Sequence, residues 1–108
     1  MLDFSPPIAV SAEEWFNVQG ILETLIPQRE VWAVGSRVNG RVKAYSDLDI
    51  AVMGEIPLSM ATVADLTQAF SDSDLPFKVD MVLWSETSED FRRVIADKHT
   101  VIRLAQTA

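Results

Sequence analysis

The chain has 108 residues, a length typical of one domain, so we predict a single domain spanning residues 1–108. It has no cysteine and one histidine, which excludes disulfides, thiolate metal sites and a histidine-cluster metal site within one chain. Its net charge of −7 disfavours general nucleic-acid binding, because an acidic surface repels phosphate backbones, but a small nucleotide held with metal ions is compatible with it.

The N-terminal residues predict neither secretion nor membrane insertion. The opening MLDFSPPIAV lacks the basic start and long apolar region of a signal peptide. No apolar run in the chain approaches the ~20 residues that a membrane span needs. Pro6 and Pro7 predict an irregular lead rather than a regular element. We therefore expect a cytoplasmic protein.

The first half of the chain predicts a helix followed by three shorter elements. Ser11 and Glu14 form the capping-box pattern of a helix start, and Pro27 ends the helix. Between these limits apolar residues recur at helical spacing, namely Trp15, Val18, Leu22, Leu25 and Ile26. We predict a strand, a short helix and a second strand over residues 31–34, 36–42 and 46–53.

The second half predicts helix, strand and helix. Ser59 caps a helix that runs to about Phe70, residues 77–84 form a third strand, and Ser88 caps the last helix. That helix is expected to continue to Leu104, with a break near His99 and Thr100, and to be lined by Phe91, Val94, Ile95, Val101, Ile102 and Leu104. The order α-β-α-β-α-β-α predicts an α/β (α+β) fold: a small mixed sheet of about three strands with helices packed against one face.

Carboxylates occur on two of the predicted strands. Asp47 and Asp49 alternate in the second strand and so share a face, opposite the apolar residues between and after them. Asp80 lies within the apolar run of the third strand. If these strands are neighbours, the three aspartates form a cluster whose oxygen ligands suit Mg²⁺. The alternative is that they lie on a solvated sheet face or edge.

The turn after the first strand has the features of a phosphate-binding turn. Gly35 and Ser36 join a strand to a predicted helix, which presents backbone N–H groups and a helix N-terminus to an anion. Glycine also allows close approach of the backbone to a phosphate. The alternative is a plain turn with Ser36 as N-cap. Together with a carboxylate cluster, such a turn indicates phosphoryl or nucleotidyl transfer with two Mg²⁺ ions.

Gly35-Ser36, ten residues, then Asp47-Leu48-Asp49 is similar to the G-S-x10-D-x-D signature of the DNA polymerase β-like nucleotidyltransferases. Asp80 fits the third carboxylate of that family. The resemblance covers residues 31–84, and the short length is most like that of the minimal nucleotidyltransferases, the small single-domain branch. It implies the polymerase β-like fold and transfer of a nucleoside monophosphate from a nucleoside triphosphate to a hydroxyl with two Mg²⁺ ions.

The resemblance also implies a role for each motif residue. Asp47 and Asp49 would ligate both metals and the triphosphate, and Asp80 would ligate the catalytic metal and activate the attacking hydroxyl. Gly35 and Ser36 would hold the β- and γ-phosphates.

Three basic residues near the turn are further candidates for nucleotide binding, namely Arg37, Arg41 and Lys43. For each, the alternative is a solvated surface charge. The minimal branch often carries a basic residue where this chain has Asn39, and this departure concerns triphosphate binding rather than the metal site.

The resemblance implies that the chain is an antitoxin that transfers AMP from ATP to a tyrosine of a helical HEPN-type toxin. Larger relatives carry a further domain for the acceptor, so we expect the acceptor site to come from a second chain or a dimer. Two alternatives remain open. The chain could neutralise a partner by contact alone, or it could be the catalytic subunit of a two-chain enzyme that modifies a small molecule such as an antibiotic.

Overall fold

The computed structural model describes residues 5–35, 37 and 46–106. Within them, three α-helices span Ala12–Leu25 (α1), Met60–Asp72 (α2) and Glu89–Asp97 (α3). The strands are Val31–Val34 (β1), Leu48–Val52 (β2), Val79–Leu83 (β3) and Thr100–Arg103 (β4), and a short 3-10 helix covers Trp84–Glu86. The short helix expected over residues 36–42 lies outside the described residues, apart from Arg37.

The start of each α-helix is determined by a serine, as the sequence predicts. The Ser11 hydroxyl accepts from the backbone N–H of Glu14, and the Glu14 carboxylate accepts from the backbone N–H of Ser11. Ser59 and Ser88 likewise accept backbone N–H groups in the first turns of α2 and α3. These bonds satisfy N–H groups that have no partner inside the helix, so each serine stabilises its helix end by about 1 kcal/mol.

One mixed sheet joins the four strands in the order β3-β2-β1-β4. Strand β1 pairs antiparallel with both β2 and β4, whereas β2 and β3 are parallel neighbours. Parallel neighbours need a crossover connection, and α2 supplies it. The mixed sheet agrees with the predicted fold class.

The main core lies between one face of this sheet and helices α1 and α2. Alternate strand residues face it, as expected for period-2 strands, namely Val31, Ala33, Leu48, Ile50, Val52 and Ile102. The helices contribute Val18, Leu22, Leu66 and Phe70. The predicted apolar face of β2 is therefore confirmed, and Asp49 points to the opposite face of the sheet.

The prediction of one helix continuing from Ser88 to Leu104 is wrong. Helix α3 ends at Asp97, Lys98 is extended, and Thr100–Arg103 forms the edge strand β4. The β-branched run from Thr100 to Ile102 favours a strand, and Val101 and Ile102 alternate between exposed and buried. The sheet therefore has four strands instead of about three.

Helix α3 also differs from the prediction in its position. Its buried residue Ile95 lies outside the main core and lines a cavity together with Val34, Asp49 and Val82, which belong to the other face of the sheet. The sheet is thus covered on both faces, with α3 on the side that carries the carboxylates. No helix formed by the described residues is long and apolar enough to cross a membrane.

Candidate active site

Two of the predicted carboxylates face each other across neighbouring strands. Asp49 in β2 is the register partner of Asp80 in β3. Paired residues of parallel strands lie about 4.8 Å apart and project to the same face. Asp47 is exposed and directly precedes β2, two residues before Asp49. The condition on which the predicted carboxylate cluster depends, that the two aspartate-bearing strands are neighbours, is therefore met.

Asp49 is the carboxylate most affected by its surroundings. Partial burial raises the pKa of Asp49 above its ordinary value, and the negative charges of Asp80 and Asp47 raise this pKa further. Both effects disfavour the ionised form of Asp49. Burial removes water that would solvate its negative charge, and the neighbouring negative charges repel it. A bound cation would reverse this balance, so this is a place where a positive ligand would be stabilised.

Asp80 has a cationic neighbour on its own strand segment. The Nζ of Lys78 lies 3.4 Å from Oδ1 of Asp80, and both side chains are substantially exposed. Over the residues that the structure describes, no three His, Cys, Asp or Glu side chains are close enough to hold one metal ion. The donors present are nevertheless carboxylate oxygens, which are the ligands that Mg²⁺ prefers, and Asp49 is within electrostatic reach of both others. The site fits Mg²⁺ by its chemistry and is open rather than closed around an ion.

Gly35 lies directly beside the Asp49 carboxylate. It follows Val34, the register partner of Asp49, and its backbone φ is 82°. A Cβ at this position would lie 2.5 Å from Oδ2 of Asp49. Glycine is therefore required here both by the backbone conformation and by the space that Asp49 occupies. The predicted turn thus meets Asp49, one of the predicted carboxylates, at the end of β1.

Arg37 is buried, which sequence reasoning did not anticipate. Its guanidinium donates to the backbone oxygen of Ser46 from Nε (3.0 Å) and Nη2 (2.7 Å), and from Nη1 to that of Ala9 (2.7 Å). It also lies 4.0 Å above the Phe77 ring. The alternative of a solvated surface charge is wrong. These contacts link the segments before β2 and β3, so they position the strands that carry Asp47, Asp49 and Asp80.

Ser36, Arg41 and Lys43 lie outside the described residues, as does Asn39, and their roles stay predictions.

An aromatic cluster fixes α3 against the carboxylate face of the sheet. The Trp32 and His99 rings stack with centroids 3.8 Å apart, and Trp84 packs edge-on against Trp32 at 5.5 Å. From α3, Arg92 lies 4.9 Å above the Trp84 ring and donates to the Trp84 backbone oxygen. The spacing of these residues along the chain carries no signal for this contact, which depends on the position of β4 and α3.

A cavity of about 450 Å³ separates α3 from the sheet next to the carboxylates. Its floor includes Gly35 and Asp49, and its walls are formed by Val34, Val82, Phe91, Val94, Ile95 and Lys98. The cavity therefore connects the glycine turn to an apolar compartment.

Carboxylates on adjacent strands of a mixed sheet, beside a glycine turn, are the arrangement expected of an enzyme that transfers phosphoryl or nucleotidyl groups. The family model described as "Polymerase beta, Nucleotidyltransferase" matches residues 17–106. The chain therefore belongs to the polymerase β nucleotidyltransferase family.

Individual relatives agree with this assignment. A Haemophilus influenzae protein described as a probable protein adenylyltransferase, MntA, is 48% identical over 94 residues, covering 87% of this chain and 82% of the relative. A crystal structure of a toxin-antitoxin with AMP-PNP is 24% identical over 85% of this chain and 74% of that chain, with a TM-score of 0.70. A structure of the tri-AMPylated Shewanella oneidensis HEPN toxin in complex with MNT antitoxin is 23% identical over 87% of this chain and 72% of that chain, with a TM-score of 0.63. These structures establish the likeness of the fold.

Proposed function

We propose that this protein is a Mg²⁺-dependent adenylyltransferase that transfers AMP from ATP to a tyrosine hydroxyl of a HEPN-type partner and thereby acts as an antitoxin. The observation that carries the proposal is the register pairing of Asp49 with Asp80, beside Asp47 and Gly35. Membership of the nucleotidyltransferase family supports the reaction class. The description of the Haemophilus influenzae relative supports protein as the acceptor.

The partner is proposed from the solved relatives. Toxin and antitoxin chains occur together in those structures, and one of the toxins carries AMP. The described part of this chain forms a small sheet domain in which the carboxylates lie near the surface, Asp47 being exposed and Asp80 43% exposed in its side chain. A macromolecular hydroxyl can therefore approach Asp80 from outside.

The reaction forms a bond between the acceptor oxygen and the α-phosphorus of ATP and breaks the bond from that phosphorus to the bridging oxygen, so that pyrophosphate leaves. Asp80 orients the hydroxyl and accepts its proton at a carboxylate oxygen. The open turn at Gly35 admits the triphosphate close to the backbone. Asp47, Asp49 and Asp80 would hold two Mg²⁺ ions, which when bound neutralise phosphate charge and polarise the reacting oxygens.

A labelling experiment tests this proposal. The purified chain is incubated with Mg²⁺, α-labelled ATP and lysate of its source cell, beside an Asp47→Ala/Asp49→Ala variant. Asp65→Ala is the matched control, because Asp65 is an exposed acid on α2 outside the site. We expect label on one protein in the wild-type and control reactions and at least a hundredfold less with the double variant. Label on a small molecule would identify the two-chain enzyme alternative instead.

A contact-only antitoxin is the second candidate, and two observations favour it. The described carboxylates do not form a closed metal site, and Asp80 is paired with Lys78. Under this alternative the double variant would still neutralise the partner in cells, and no label would appear even when the partner co-purifies with the chain. Under the proposal, the double variant loses both labelling and neutralisation.

A further inference from the structure

The cavity beside Asp49 has a wall formed by one side of a helix. Phe91, Val94, Ile95 and Lys98 occupy positions i, i+3, i+4 and i+7 of α3 and its end, which places them on one helix face. Ile95 is buried, but Phe91 is 45% exposed and Val94 64% exposed. Apolar side chains on a cavity wall that remain accessible to solvent are typical of a binding pocket.

The position of the cavity indicates which substrate group it faces. Gly35 and Asp49 line it, whereas Asp47 and Asp80 do not. Under the proposed function Gly35 belongs to the triphosphate site and Asp80 to the acceptor side. The cavity lined by Gly35 and Asp49 therefore lies next to the phosphates of ATP and not next to the acceptor hydroxyl.

The size and chemistry of the cavity agree with a nucleoside. A volume of about 450 Å³ lies in the range of small-molecule pockets, which are mainly apolar with few polar groups. Here Val34, Val82 and Phe91 provide apolar surface, and Lys98 provides a hydrogen-bond donor. Aromatic surface of this kind stabilises a flat base by stacking.

We propose that the cavity between α3 and the sheet seats the base and ribose of the nucleoside triphosphate, with Phe91 and Val94 as the residues that determine nucleoside affinity. This inference rests on the proposed function, because it assumes that the triphosphate binds at Gly35 and Asp49. It assigns α3, which carries none of the family's signature residues, to substrate recognition.

Two probes separate nucleoside binding from phosphate binding. The dissociation constants of ATP and of inorganic triphosphate are measured by calorimetry with Mg²⁺, for wild type, Phe91→Ala and Val94→Trp. The first variant removes a wall, and the second fills the cavity from an exposed position. Phe16→Ala is the matched control, since Phe16 is an exposed phenylalanine on α1 that does not line this cavity.

We expect both cavity variants to raise the dissociation constant of ATP about tenfold, Phe91→Ala because it removes a stacking surface and Val94→Trp because it occupies the space of the nucleoside. Their affinity for inorganic triphosphate should stay within twofold of wild type, which also shows that they are folded. Unchanged ATP affinity in both variants would overturn the inference, as would an equal loss of affinity for both probes. Wild-type protein that binds neither probe would refute the proposed function itself, which makes the two failures distinguishable.

Discussion

Gly35 leaves the space that the carboxylate of Asp49 occupies: a Cβ on Gly35 would lie 2.5 Å from Oδ2 of Asp49 and 3.4 Å from its Cγ. The φ of 82° at Gly35 is also unfavourable for any L side chain. The glycine of the turn therefore has a structural role toward the carboxylate, in addition to any contact with phosphate.

Gly35→Ala should destabilise the protein by about 1–3 kcal/mol, because it combines a strained backbone with a displaced Asp49. Gly20→Ala is the control, since Gly20 lies within α1 and a Cβ there meets nothing within 4 Å. We expect that variant to be stabilised by about 0.5–1 kcal/mol. Urea unfolding measures both changes, and equal stability of the two variants would contradict the role assigned to Gly35.

Arg37→Met should lower the free energy of unfolding by about 3 kcal/mol, because it leaves the backbone oxygens of Ser46 and Ala9 without their charged donor. Arg37→Lys should recover part of this loss. Arg93→Met is the control, as its ion pair with Asp90 is exposed and worth less than about 1 kcal/mol. A phosphate-binding role alone would instead give an Arg37 variant of normal thermal stability with weaker ATP binding.

The features that the sequence predicts correctly depend on short-range patterns. The serine caps act within one helical turn, and the alternation of Leu48, Ile50 and Val52 places Asp49 on the opposite face without knowledge of the other strands. The pairing of Asp49 with Asp80 depends in addition on β2 and β3 being neighbours in the observed register.

The features that were missed depend on distant parts of the chain. Residues 100–103 fit the apolar spacing of a longer helix as well as a β-branched strand, and pairing with β1 selects the strand. From the sequence, Arg37 is equally compatible with a surface charge. In the folded protein its hydrogen-bond acceptors come from Ala9 and Ser46, which lie 28 and 9 residues away along the chain. A buried charge with satisfied donors has no local sequence signature.

Under the proposed function, Lys78 would compete with Mg²⁺ for Asp80, since its Nζ lies 3.4 Å from Oδ1 of that carboxylate. Lys78→Met should therefore lower the Mg²⁺ concentration for half-maximal AMP transfer about two- to fivefold. Stability should change by less than about 1 kcal/mol, because the pair is exposed. Lys78→Arg retains the charge and should keep the wild-type midpoint in a Mg²⁺ titration of the labelling reaction. A higher midpoint for Lys78→Met would show that Lys78 assists the reaction instead.

Asp49→Asn should stabilise the metal-free protein at neutral pH. The pKa of Asp49 is raised in the folded state by burial and by the charges of Asp80 and Asp47, so the folded protein binds this proton more tightly than the unfolded chain. The contribution of Asp49 to the stability of the folded protein is therefore most favourable at a pH below 3.8, the ordinary pKa of this side chain. This contribution is lost as the pH rises through the folded-state pKa, and it is least favourable at neutral pH.

The advantage of Asp49→Asn over wild type should consequently shrink as the pH is lowered from 7 towards 4, when unfolding is measured in a chelating buffer. Asp65→Asn, an exposed acid on α2, serves as the control and should remain within about 0.5 kcal/mol of wild type at pH 7. Added Mg²⁺ should raise the melting temperature of wild type more than that of Asp49→Asn. In wild type the ion offsets the repulsion of Asp49 by Asp80 and Asp47, and a neutral asparagine at this position is not repelled. If Asp49→Asn were less stable than wild type in chelator at pH 7, burial of the Asp49 charge and its repulsion by Asp80 and Asp47 could not be the dominant effects at this position.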